Sequence, residues 1–180
     1  SIFVGYLLAF VFWSIVLPDT TSDVVFSSQK EVINQVQKVS NSVTGNAINP
    51  ENFSIILFNN LRVLLFSFVF ALFYGAGSLF ILAWNASILG YLIGILAKEK
   101  LGLISLPHLF TKYLIHGIPE MISYFIISLA GGIIFIKIVR GDFKNSSNKR
   151  TMLDLGILIL VSVIVLILAA IIETYITPFI

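Results

Sequence analysis

Three ionisable side chains, Arg62, Glu120 and Glu173, stand inside long apolar runs of this chain. A charged group at the centre of a bilayer costs about 2.5 to 3.5 kcal/mol even on lenient scales, so such groups persist where they face one another, water or a bound ion. His116 precedes Glu120 by one helical turn, which lets both face one groove. Asn59 and Asn60, just before Arg62, add amide donors and acceptors. With histidine neutral, the arginine and the two glutamates sum to a net negative charge. Three chemistries fit such a set. The residues can form a structural network that fixes helix register, with Arg62 holding a glutamate. They can bind a proton or another cation. They can ligate a catalytic zinc through His116, Glu120 and Glu173, although no H-E-x-x-H motif is present.

The elements that must position these residues are membrane spans. The chain has 180 residues, 58% of them hydrophobic and 11% charged, and a mean hydropathy of +1.01. A soluble domain would carry about 25% charged residues. A chain of this length is expected to form a single transmembrane domain over residues 1–180, an all-α polytopic bundle of about five helices. The absence of cysteine removes disulfides and thiolate chemistry. A net charge of +2 is too slight to argue for nucleic acid, and no nucleic-acid partner is expected.

Apolar runs place the spans at residues 2–17, 53–74, 78–97, 109–139 and 153–176. The first run is short for a hydrocarbon core of about 30 Å, so it is expected to begin upstream of Ser1. The turn Gly75-Ala76-Gly77 separates the second and third spans. In the fourth, Gly117 and Pro119 predict a kink, or a break into a half-helix, near Ile118. Residues 18–52 form the long polar connection. Within it Val25, Val32, Val36, Val39 and Val43 recur at helical spacing, predicting an amphipathic helix that lies over the bundle or docks a partner protein.

Basic residues set the orientation. Lys137, Arg140, Lys144, Lys149 and Arg150 crowd the connection over residues 140–152, which is assigned to the cytoplasm. The segment 18–52 then lies outside. On this topology Glu120 is about 25 Å and Glu173 about 27 Å from the inner ends of their spans, at similar height in the outer half of the bilayer. Arg62 falls about 13 Å below the outer surface, and its long side chain can reach upward. Arg62, His116, Glu120 and Glu173 are therefore expected to converge.

The remaining polar candidates carry blander readings. Asn85, about 10 Å from the inner end of the third span, reads as an interhelical hydrogen bonder. Gly90 and Gly94 form a small-x-x-x-small pair suited to close packing or to a homodimer. Asn52-Phe-Ser reads as an N-glycosylation acceptor on the outer side. No nucleotide loop, Gly-x-Ser-x-Gly elbow or kinase signature is present, so no catalytic residues are assigned.

Four segments carry a resemblance: Phe58-Asn59-Asn60-Leu61-Arg62-Val63; Gly75-Ala76-Gly77 with Asn85 following; His116-Gly117-Ile118-Pro119-Glu120; and Ile172-Glu173-Thr174-Tyr175-Ile176-Thr177-Pro178. Together they resemble the stage II sporulation protein M family, and the similarity runs from about Ser14 onward. The resemblance implies a multi-pass membrane protein of bacteria or archaea. In spore-forming bacteria the family member is the membrane scaffold of a peptidoglycan-degrading engulfment complex, recruiting hydrolases that act outside. Homologues also occur where no spores form, including archaea without peptidoglycan. The leading expectation is a membrane scaffold or membrane-remodelling protein with protein partners on the extracytoplasmic side and no cofactor. An ion- or proton-coupled transporter with a bound cation is the alternative, and an intramembrane metal-dependent hydrolase is the third.

Overall fold

The computed structural model describes residues 2–42, 50–75, 78–141 and 148–179. These residues are almost entirely helical, and no strand occurs among them. The helices are α1 (Ile2–Val16), α2 (Asp19–Val25), α3 (Ser27–Ser42), α4 (Pro50–Tyr74), α5 (Ser78–Ile95), α6 (Leu106–Arg140) and α7 (Asn148–Tyr175). A π-helical turn, Leu96–Leu101, extends α5, and 3₁₀ turns precede α6 and follow α7. Hydrocarbon offers the backbone no hydrogen-bond partners, so an apolar run this long closes its own bonds as helix. Phe53–Tyr74, Leu79–Lys98, Leu103–Arg140 and Arg150–Tyr175 are long and apolar enough to cross a membrane, and Ile2–Val16 is a shorter apolar helix. The architecture is an all-α membrane helix bundle.

Two expectations about helix continuity change. α6 runs unbroken through Pro119, so there is no half-helix there. Proline removes one backbone donor, but the turns on either side keep theirs, and local adjustment in a packed helix absorbs the loss. Asn52, expected in the connection before the second span, lies within α4. α4 ends where Gly75 takes a φ of +60°, and the π-helical turn ends where Gly102 takes +76°, the left-handed region that glycine occupies without a Cβ clash. Val43, Ala76, Gly77 and Lys144 lie outside the described residues.

The chain divides into two compact units. The first combines Leu82–Leu114 with the residues before Phe53. Its core is Leu7, Val11, Ala86, Ile93, Ala97 and Leu109. α1 and α5 run side by side in the same direction at very close approach. A Cβ added at Gly90 would lie 2.6 Å from the Cβ of Phe10, and one at Gly94 would strike the Ser14 hydroxyl. Gly90 and Gly94 are thus consumed by α1 within the chain, rather than being left for a second copy.

α2 and α3 fold back onto this unit along a different stripe from the one read in the sequence. Ser22, Phe26 and Gln29 are buried while Val24 and Val25 are exposed. The ring of Phe26 stacks on Tyr91 at 4.8 Å and meets Phe10 edge-on at 6.3 Å. Gln29 Nε2 donates to Ser87 Oγ at 3.0 Å. Lys98, on the π-helical turn, donates to the Leu17 carbonyl at 2.8 Å and pairs with Asp19 at 2.7 Å, pinning the corner between α1 and α2.

The second unit contains Phe53–Ile81 and Ile115–Ile180. In it α4 and α6 run parallel: Asn60 meets Glu120, a Cβ added at Gly131 would lie 2.7 Å from the Phe68 carbonyl, and Gly75 faces the Phe135 ring. α7 runs antiparallel to α6, with Thr177 beside His116 and the Ser162 carbonyl accepting from Ser123 Oγ at 2.8 Å.

Candidate functional site

The polar residues that meet do so inside the second unit. Asn60 projects from α4, Glu120 from α6 and Glu173 from the last turns of α7. Asn60 Nδ2 donates to Glu120 Oε1. Glu173 stands close enough to Asn60 and Glu120 to interact with both, so the two carboxyl groups lie within reach of each other. Asn60 is buried, and both glutamates are partly accessible. Two carboxylates at such spacing repel unless a proton or cation lies between them, and one neutral amide supplies no compensating charge. Each of the three helices contributes one member, so the cluster ties α4, α6 and α7 together through side chains alone.

His116 is buried one turn before Glu120. Its Nδ1 lies 3.1 Å from Thr177 Oγ1. The Thr177 hydroxyl also lies 3.2 Å from the Ile172 carbonyl, which can accept its hydrogen. The His116–Thr177 contact anchors the 3₁₀ turn after α7 onto α6. Beyond Glu120, Ser123 bonds to the α7 backbone and Tyr124 is almost fully buried. Thr177, Ser123 and Tyr124 were not among the residues singled out from sequence. Ser123 stands three residues after Glu120, on the same helical face, which is the signal that points to it.

Other expected members take different places. Arg62 is exposed, not buried with the glutamates. At about 100° per residue, a helix that turns Asn60 inward directs the residue two positions later to nearly the opposite side. Asn59 is exposed as well and reaches the cluster only through Asn60, at 3.5 Å. Asn85 is partly buried and belongs to the first unit. Among the described residues no group of three or more His, Asp or Glu side chains is placed to hold a metal ion. The His116, Glu120 and Glu173 zinc set is therefore not assembled.

The family profile of stage II sporulation protein M matches residues 1–178. The chain belongs to the stage II sporulation protein M family. It is similar to an uncharacterized protein of Methanocaldococcus jannaschii, 32% identical over 153 residues that cover 81% of this chain and 83% of that protein. No solved structure matches the chain. Of the four segments that resembled this family in sequence, three supply the clustered side chains: Asn60 lies in the first, His116 and Glu120 in the third, and Glu173 and Thr177 in the last. In this member of the family Asn60 meets Glu120, and His116 meets Thr177 one turn away, whereas Arg62 stays outside.

Proposed function

We propose that this protein is a membrane scaffold, with residues 18–52 on the extracytoplasmic side presenting a docking surface for other proteins. The observation that carries this reading is the pinned arm made of α2 and α3. Phe26, Gln29 and the Lys98–Asp19 pair hold it on the first unit. Thr20, Thr21, Asp23, Val24, Val25, Lys30 and Glu31 remain exposed along it. An arm whose apolar contacts are satisfied on one side and whose other side carries mixed polar and apolar groups suits transient protein contacts. Family membership supports the same reading. The Asn60, Glu120 and Glu173 cluster then serves as an interhelical lock that keeps the second unit rigid. Pull-down from membranes with the intact chain and with an arm-disrupted variant tests the proposal. Retention of the same partners after the exposed positions Asp23, Val24 and Glu31 are exchanged for lysine would remove its basis.

A second reading, a proton- or cation-coupled transporter, is favoured by the carboxyl pair, since ionisable groups inside spans mark ion paths. Purified chain in liposomes distinguishes the two. The scaffold reading expects no flux under pH, sodium or potassium gradients. Gradient-driven flux that vanishes in Glu120→Gln and Glu173→Gln selects the transporter.

A further inference from the structure

An apolar groove of about 250 Å³ opens in the second unit, lined by Leu61, Leu64, Phe68, Ile127, Ile159 and Val163. It opens to the side, where Leu65 is 62% and Ile159 38% exposed. Its volume falls below the range of about 300 to 1,000 Å³ that encloses a whole drug-sized ligand. It suits a stretch of one hydrocarbon chain.

Its position relative to the acidic cluster is what makes the groove informative. On α4 the lining residues follow Asn60 by up to about 12 Å, and on α6 Ile127 follows Glu120 by about 10 Å. On α7 Val163 and Ile159 precede Glu173 by about 15 and 21 Å. α4 and α6 run parallel and α7 runs opposite, so all three displacements point the same way, from the carboxyl level into the span. Glu173 stands two residues before α7 ends at Tyr175, at the depth where headgroups meet a span. Among the described residues neither carboxyl takes part in an ion pair. A partly accessible acidic pair at an interface, with an apolar channel leading inward, complements a cation that carries a hydrocarbon tail.

We propose that this face of the second unit binds a membrane lipid whose headgroup bears an ammonium group, with the ammonium on Glu120 and Glu173 and one acyl chain in the groove. The ammonium supplies the charge that Arg62, turned outward, does not. Its N–H groups make charge-assisted hydrogen bonds to the carboxylates.

The full chain in bilayer discs, exposed to trace phosphatidylethanolamine or phosphatidylglycerol carrying a photoreactive group midway along one chain, tests this. Phosphatidylethanolamine is expected to label α4, α6 or α7 residues at the groove about tenfold more than phosphatidylglycerol, a ratio equivalent to about 1.4 kcal/mol. Glu120→Gln combined with Glu173→Gln is expected to bring the two lipids close to parity. Ile159→Trp fills the groove and is expected to suppress both, whereas Leu168→Trp, also lipid-facing on α7, leaves both unchanged. Equal capture of the two headgroups by the unaltered chain overturns the proposal, as does groove labelling indifferent to Ile159→Trp. The first of these results needs no variant to fold.

Discussion

Replacing Phe26 with alanine should undock the arm while leaving the spans intact. Phe26 is 2% exposed, stacked on Tyr91 and edge-on to Phe10, so its ring is the main apolar link between the arm and the first unit. Removing a buried phenylalanine costs about 3 to 5 kcal/mol through lost transfer energy and the cavity left behind. The arm sits at the edge of its unit and can partly collapse into that cavity, so the lower figure applies. A loss of about 3 kcal/mol raises the population of the undocked arm by about two powers of ten. Hydrogen exchange of the amides of Lys30 to Asn34 reads this directly, because the Lys30 amide bonds to the Phe26 carbonyl and protection depends on the docked helix. Phe26→Leu, which retains most of the apolar volume, should lie between native and alanine. Exchange in α4 and α7 should not change. Unaltered exchange of α3 in Phe26→Ala would refute the reasoning, and so would loss of protection spread evenly over the chain.

Gly94→Val drives side-chain atoms onto Ser14 and should cost more than about 1 to 3 kcal/mol, the usual penalty of overpacking, in unfolding from detergent; Gly5→Ala, where nothing lies within 4 Å, is the neutral control. Asn60→Leu and Glu120→Met, each of which deletes one partner of the bond, form alone and combined a double-mutant cycle whose coupling should be about 0.6 kcal/mol, the average measured for interhelical hydrogen bonds in membranes, and no more than about 1.7 kcal/mol. A coupling near zero would show that the Asn60–Glu120 bond contributes nothing to holding α4 against α6. Arg62→Gln should shift stability by no more than about 0.5 kcal/mol, because its side chain is exposed. A loss of several kcal/mol would mean that the arginine sits with the glutamates after all.

Hydropathy and length alone establish an all-helical membrane chain, because lipid leaves an apolar run only one way to satisfy its backbone within a single segment. The limits of the long apolar helices follow closely, since polar residues and glycine mark where the apolar runs end. Two costly carboxyl groups at one depth are cheapest together, which is why the sequence singles out Glu120 and Glu173. What the sequence could not tell was which side of each helix faces inward. α4 is apolar almost all round, so its pattern contains no stripe to orient it, and Arg62 looked as well placed as Asn60. Packing of α4 against α6 chose Asn60, and the helical turn then sent Arg62 outward. The arm repeats the lesson: valines at helical spacing marked a helix, but the flat rings of Tyr91 and Phe10 selected Phe26 as the anchor and left Val25 exposed. Gly90 and Gly94 announced close packing without naming the partner, and only the three-dimensional structure identifies it as α1. Period and polarity are properties of a segment, whereas facing is a property of pairs of segments, and it is settled when their surfaces meet.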